Sequence, residues 1–362
     1  MPVEPQAVQR ALLAWYDAHA RALPWRSPPG AARADPYRVW LSEIMLQQTT
    51  VTAVVPYFER FTRLWPDVAT LAAAADADVM REWAGLGYYA RARNLIAAAR
   101  AVVARGGFPG DEAGLRALPG VGAYTAAAIA SIAFGHAAVV VDGNIERVMA
   151  RLFAVETPLP AARPALYAHA ATLTPTHRPG DHAQALMDLG SRLCTPRNPD
   201  CAACPLAPWC AAAASGDPAR FPVRLPKQAR PVRYGTAFWL ESAGAVLLVR
   251  RPASGLLGGM LALPTGPWGN DAEPLAGAPV GGDWQLLPGQ VRHVFTHFEL
   301  RLRVARLDHP MRETEGEWTP CDAVAHAGLP TLFAKAAALA YLASVIPSAA
   351  SATRRSSGSI AG

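Results

Sequence analysis

Four of the five cysteines stand at Cys194, Cys201, Cys204 and Cys210, a C-x6-C-x2-C-x5-C run that obliges the local backbone to wrap around something. Clustered thiolates point to metal before disulfide when nothing marks the chain for export. Glu4 and Gln6 occupy the region where a signal would be basic and then apolar. The longest apolar stretch, Ala126 to Val141, is interrupted by Ser131, Gly135 and His136 before it could span a bilayer. A cytoplasmic protein is therefore expected, nucleoid-associated if the cell is bacterial. Soft sulfur donors suit tetrahedral zinc or an iron-sulfur cluster, and spacing alone does not separate the two. Cys321, alone in the second half, reads as a small buried apolar side chain.

A length of 362 residues, 51% of them hydrophobic, suits two domains with a core each. Residues 1–216 run as helix after helix. Asp35-Pro36 reads as an N-cap followed by proline at the first helical position, and Tyr37, Trp40, Leu41, Ile44 and Gln48 follow at helical spacing, predicting a helix from Pro36 to about Gln48. Prolines 218, 222, 226 and 231 among basic residues mark 217–232 as an extended connector. Residues 233–346 are strand-rich: Phe298 to Val304 alternates strictly, and a helix over about Thr331 to Leu342 closes the domain. Residues 347–362 hold Ser, Ala, Gly and Arg, too little apolar surface to order themselves, so a disordered tail is expected.

Leu118-Pro-Gly-Val-Gly122 joins two helical stretches. Gly120 and Gly122 let the backbone approach a partner closely, and the amides that open the following helix suit a phosphate. Asp142, which ends the apolar run Val139 to Val141, reads as the cap of a helix starting near Gly143, a position that favours its ionised form. Glu43 and Gln47 lie four apart on one flank of the Pro36 helix and can enter one cleft. The formal charge of +6 rests on 34 basic residues, all but Lys227 and Lys335 arginine, which suits phosphate or carboxylate but does not by itself point to nucleic acid.

The blocks Ser42-Glu-Ile-Met-Leu-Gln-Gln-Thr49, Gly85-Leu-Gly-Tyr-Tyr-Ala-Arg-Ala-Arg-Asn94, the Leu118 hairpin, Val141-Asp-Gly-Asn144 and the cysteine run resemble the helix-hairpin-helix DNA glycosylases of the endonuclease III superfamily, and more narrowly the MutY-type adenine DNA glycosylases. The resemblance is dense over Leu23 to Cys210 and looser beyond. It implies a multidomain chain: an all-α helix-hairpin-helix domain whose 194–210 loop carries a 4Fe-4S cluster, then an α+β MutT/Nudix-like domain. It also implies a monofunctional enzyme of base excision repair, acting as a monomer on duplex DNA, away from membranes, and removing adenine opposite 8-oxoguanine or guanine. Lyase relatives carry lysine where this chain has Tyr124, and residues 1–226 contain no lysine at all.

By the same resemblance, Glu43 protonates the flipped adenine at N7 with a pKa raised by enclosure, Asp142 faces the sugar cation, Tyr124 assists at the sugar, and Asn144 orients Asp142. Arg26 and Gln184 border the adenine pocket. Gln48 and Tyr88 wedge beside the orphaned base, Arg91, Arg93 and Arg197 meet phosphates, and Phe295, Thr296 and His297 read the 8-oxoguanine. The second domain lacks the Arg-Glu-x-x-Glu-Glu metal helix of MutT-like hydrolases and reads as a recognition module. Two other readings compete: a thymine- or pyrimidine-directed glycosylase of the same superfamily, and a non-enzymatic iron-sulfur DNA-binding or redox-sensing protein that would not need Glu43 and Asp142 together.

Overall fold

A computed structural model describes residues 3–226, 229–252, 255–310, 312 and 314–345. The tail expected over 347–362 lies outside the described residues. The chain divides into two compact units, Met1–Lys227 and Gln228–Gly362.

The first unit is helical: α1 Pro5–His19, α2 Pro36–Leu46, α3 Val51–Leu64, α4 Val68–Ala73, α5 Asp76–Trp83 and α6 Ala90–Ala104 precede the hairpin. They are followed by α7 Glu112–Arg116, α8 Ala123–Ile132, α9 Gly143–Leu152, α10 Arg163–Leu173, α11 Pro179–Arg192 and the single turn α12 Ala211–Ala214. Asp35 starts α2 by accepting from the amides of Tyr37 at 2.8 Å and Arg38 at 3.1 Å. The helix ends two residues before the predicted Gln48, because Gln47 already leaves helical geometry with ψ of 112° and Gln48 follows in a left-handed backbone with φ of 59°. Trp40 and Trp83 are completely buried, each side chain contributing about 3 kcal/mol of apolar transfer energy. From Thr125 to Ile132, α8 is buried on every side and forms the central post against which α2, α7 and α11 pack. A helix apolar all round carries no amphipathic stripe, so only its flanking glycines punctuate it in sequence.

Two glycines set close approaches. Gly120, at φ of +75°, lies where a Cβ would sit 2.7 Å from Cβ of Asn94, which brings the hairpin down onto α6. A Cβ on Gly190 would sit 2.7 Å from that of Asn144, so this glycine lets α11 close on α9.

The stretch read as a connector over 217–232 is in large part a strap on the first unit. Phe221 is buried, its carbonyl accepts from Arg151, and Leu159 donates to the Val223 carbonyl at 2.9 Å. The prolines spaced along it prevent regular structure without preventing burial of the one aromatic among them.

In the second unit, β1 Val232–Ser242, β2 Ala245–Arg250, β3 Leu261–Ala262, β4 Gln285–Leu286, β5 Val291–Val294, β6 Glu299–Asp308 and β7 Glu317–Pro320 form a mixed sheet, with α13 Thr331–Val345 packed on it. β1 runs parallel to β6 over ten residue pairs, from Val232 opposite Glu299 to Glu241 opposite Asp308. Ala237 and Trp239 of β1 join Leu300, Leu302 and Val304 under Leu332, Phe333 and Ala336 of α13, while Phe238 and Leu240 meet Trp284 on the opposite face. A central strand covered on both faces accounts for the unbroken burial of β1 from Gly235 to Leu240.

Candidate active site

A cavity of about 560 Å³ opens in the first unit, and Arg26, Glu43, Gln48, Tyr124, Asp142, Asn144 and Gln184 all line it. These residues come from the segment before α2, from α2 and its end, from α8, from the cap and start of α9, and from α11. The two carboxyls singled out by sequence therefore share one chamber.

Glu43 is 6% exposed, and burial raises its carboxyl from 4.5 to about 7. The Tyr124 hydroxyl, which hydrogen-bonds to it, and the Arg26 guanidinium pull the other way, whereas Asp142 adds to the rise. Near neutral pH this group can both give and take a proton. Burial also pushes the Tyr124 phenol well above its usual range, so it remains a donor.

Asp142 caps α9 by accepting from the Ile145 amide at 2.7 Å and takes a second bond from Asn144 Nδ2 at 2.9 Å. Burial raises its carboxyl, and these donors together with Arg147 oppose the rise. Asn144 is itself held, since Arg147 Nη2 donates to its Oδ1 at 2.9 Å and fixes which end of the amide faces Asp142. The same guanidinium donates to the carbonyls of Gly190 at 2.6 Å and Cys194 at 2.7 Å, tying the cap of α9 to the start of the cysteine loop. Sequence reading gave Arg147 no role; its spacing three residues after Asn144 on a helix was the available signal.

Gln48 and Tyr88 both stand at positive φ, 59° and 49°, a conformation unusual for non-glycine residues, and Tyr88 is 59% exposed. Arg91 explains how both are held. Its guanidinium donates to the carbonyls of Ile44, Met45, Leu86 and Gly87 and to the Thr49 hydroxyl, and lies 5.5 Å from the Tyr88 ring centroid. This corrects the expectation that Arg91 meets phosphate: it is 8% exposed, and both terminal nitrogens of its guanidinium are spent on protein acceptors. Arg93 and Arg197 are exposed, as a phosphate contact requires, and a Cβ at Gly122 would meet no atom within 4 Å.

The four cysteines of the run are free and half-buried. The charge of Cys194 acts on Cys201, Cys204 and Cys210, and Cys204 also feels Cys210 and Cys201, so the four thiols lie within electrostatic reach of one another. Arg151 Nη1 lies 3.2 Å from Cys194 Sγ, a donor aimed at an anionic sulfur. Burial pushes the Cys204 thiol up to about 11, so an ionised sulfur there needs cationic metal beside it. Among the described residues, no three Cys, His, Asp or Glu converge tightly enough for a single ion.

Residues 41–166 match the HhH-GPD superfamily of base excision DNA repair proteins, 194–210 the iron-sulfur binding domain of endonuclease III, and 236–339 the NUDIX domain. The adenine DNA glycosylase of Rattus norvegicus is 37% identical, over 83% of this chain and 70% of its own length. The chain belongs to the adenine DNA glycosylase family. The human member is 36% identical with 67% of its length covered, and the Arabidopsis thaliana member 38% identical over 72% of this chain. This chain spans about half the length of the plant relative, 48%. A solved thermostable thymine-DNA glycosylase matches 58% of this chain and 97% of its own at a TM-score of 0.53 and 29% identity. The four cysteines hold a 4Fe-4S cluster, which resolves the choice that spacing left open.

In the second unit of this glycosylase-family chain, Phe295 is engaged internally: it stacks on Phe298 at 4.8 Å, meets His293 edge-on at 4.7 Å, and its amide donates to the Phe298 carbonyl. It anchors a turn whose exposed side chains are Thr296 and His297. No helix among the described residues is long and apolar enough to cross a membrane.

Proposed function

We propose that this chain is a monofunctional adenine DNA glycosylase that flips adenine out of a duplex, opposite 8-oxoguanine or guanine, and hydrolyses its N-glycosidic bond. The observation that carries the reading is the common cavity of Glu43 and Asp142, with one carboxyl raised to about 7 and the other held by an amide, a cap and a nearby arginine. Cleaving a purine nucleoside needs a proton on the leaving base and a negative charge facing the sugar as cationic character develops. Protonated Glu43 delivers the proton to adenine N7 and the C–N bond breaks. Asp142 faces the anomeric carbon, Tyr124 keeps its proton as a donor beside Glu43, and ionised Glu43 then accepts a proton from the attacking water.

Gln184 is 5% exposed in the cavity wall and offers an amide edge to the base. Gln48 and Tyr88 fill the gap left in the duplex, and the hairpin amides after Gly120 and Gly122 take a phosphate together with Arg93 and Arg197. When bound, the cluster supplies an anionic knot that shapes the 194–210 loop. Thr296 and His297 meet the 8-oxoguanine, with Phe295 supporting their turn. The protein acts as a monomer.

Base release is the direct test. Adenine should be freed from a duplex holding A opposite 8-oxoguanine, more slowly from A opposite G, and thymine should not be freed from T opposite G. Thymine release without adenine release would move the chain to the pyrimidine-directed branch, and duplex binding with no release would favour a non-enzymatic iron-sulfur protein. Because residues 1–226 hold no lysine, borohydride present during turnover should trap no crosslink between a side chain of the first unit and the DNA. An efficient crosslink mapped to that unit would refute the monofunctional assignment.

A further inference from the structure

Asp188 sits on α11, one turn beyond Gln184, and its side chain has no exposure to solvent. A carboxylate so enclosed stays ionised only if donors and positive charge surround it. Both are present. The Arg21 amide donates to Oδ2 at 3.1 Å, Arg21 Nε and Nη2 each lie 2.6 Å from Oδ1, and Arg26 Nη1 donates to Oδ2 at 2.8 Å. Burial works to raise this carboxyl, but Arg26 and Arg21 outweigh it and hold it below its usual range.

Arg26 connects this knot to the chemistry. It lines the same cavity as Glu43, and its charge favours the ionised form of Glu43. An uncompensated guanidinium lining the same cavity would favour loss of the Glu43 proton that excision needs. Asp188 lies behind the cavity wall, outside the residues that line it, and pairs with Arg26 from the far side. We propose that Asp188 is a positioning residue that, shared with Arg21, offsets part of the charge of Arg26 and fixes its guanidinium, so that Glu43 can hold its proton while Arg26 still faces the base. The proposal rests on the excision reading of the same site.

The charged and titratable groups around the pair come from several elements. Glu43 is faced by Tyr124 of α8, Asp142 at the cap of α9 and Arg26 before α2. Behind Arg26 stand Asp188 and the buried phenol of Tyr16 on α1, Arg21 reaches Asp188 while also lining the cavity, and Asp181 of α11 acts on the Tyr16 phenol. Of these, Asp188 is the carboxylate in direct contact with Arg26.

The test uses two substitutions in the full holoprotein, each predicted to move Glu43 in the opposite direction. Asp188→Asn removes the cancelling charge and should lower the titration of Glu43 by about one pH unit. Arg21→Gln leaves Asp188 to Arg26 alone and should raise it. Titration is read without DNA, by isotope-edited infrared difference spectra against the matching Glu43→Gln proteins. Single-turnover adenine release against pH gives the second readout. Release requires protonated Glu43 and declines as pH rises through its titration, so Asp188→Asn should lose about ten-fold at pH 8 and recover toward wild-type rates near pH 5.5.

An equal loss at every pH with an unmoved Glu43 titration would mean that Asp188 only holds the fold, and would overturn the proposal. If Asp188→Asn does not fold, Arg21→Gln decides, and absence of its upward displacement would overturn the proposal as well. A wild type that frees no adenine would sink the excision reading instead, leaving the infrared titration to decide the charge relation between Asp188 and Glu43.

Discussion

Glu43→Gln should reduce adenine release by roughly a thousand-fold while leaving duplex binding nearly intact, and should make the first unit more stable at alkaline pH. The kinetic half follows from chemistry: the amide keeps the shape of the side chain but cannot pass a proton to the base. The stability half follows from burial. The carboxyl is raised from 4.5 in the open chain to about 7 in the folded one, so the folded state retains a proton that the unfolded state releases between those values. Native stability therefore falls as pH rises through that window, and the deficit is complete above about 7. Glutamine has no such deficit. Urea unfolding at pH 8 should find the variant more stable by about 1–3 kcal/mol, a gain that disappears below pH 4.5. Undiminished release would remove Glu43 from the role of acid, and an equal stability difference at both pH values would show that its carboxyl is not held neutral by the fold.

Loss of the cluster, by Cys204→Ser or by stripping iron, should abolish excision by about a hundred-fold or more while the helical bundle persists. From Cys201 to Cys210 Leu206 is the one fully buried core residue, with Cys204, Trp209 and Cys210 packed partly buried against its edge, so most of the bundle's core is independent of this loop. The loop does hold arginines in place. Cys194, Thr195 and Pro196 supply carbonyls to Arg147 and Arg151, and Arg147 holds the amide of Asn144 against Asp142. Released from Cys194, the guanidinium retains fewer partners and Asn144 can turn its amide, exposing the carboxylate to misalignment that a reaction at a sugar carbon tolerates poorly. Far-UV circular dichroism and single-turnover release, measured on one preparation, check both halves. Full activity without iron would uncouple the loop from the cap of α9, and loss of helicity would mean the bundle depends on the cluster.

Local chemistry was readable from sequence wherever a residue and its partner lie a few positions apart. The cap at Asp35, the cap at Asp142 and the alternation through Leu300, Leu302 and Val304 all declare themselves within a short window. The neighbours that tune the site are not local. Asp188 meets Arg21 and Arg26 across more than 160 positions, and a lone aspartate four residues after Gln184 gave only a helical spacing as a hint. Arg91 was misread for the opposite reason. In an arginine-rich chain the default is a solvated basic face, and no pattern in the sequence reveals that one guanidinium lies under four carbonyls. The strap around Phe221 hid behind its prolines in the same way, since proline reports what the backbone cannot do and is silent about what the side chains touch.

That buried guanidinium has a thermodynamic corollary for docking. Arg91 grips the Met45 carbonyl before Gln48, the Thr49 hydroxyl after it and the Gly87 carbonyl immediately before Tyr88, so two segments distant in sequence are held together in their unusual left-handed geometry. On the proposed reading, in which Gln48 and Tyr88 enter the duplex, the ordering entropy of these two segments is settled when the chain folds rather than when the duplex binds.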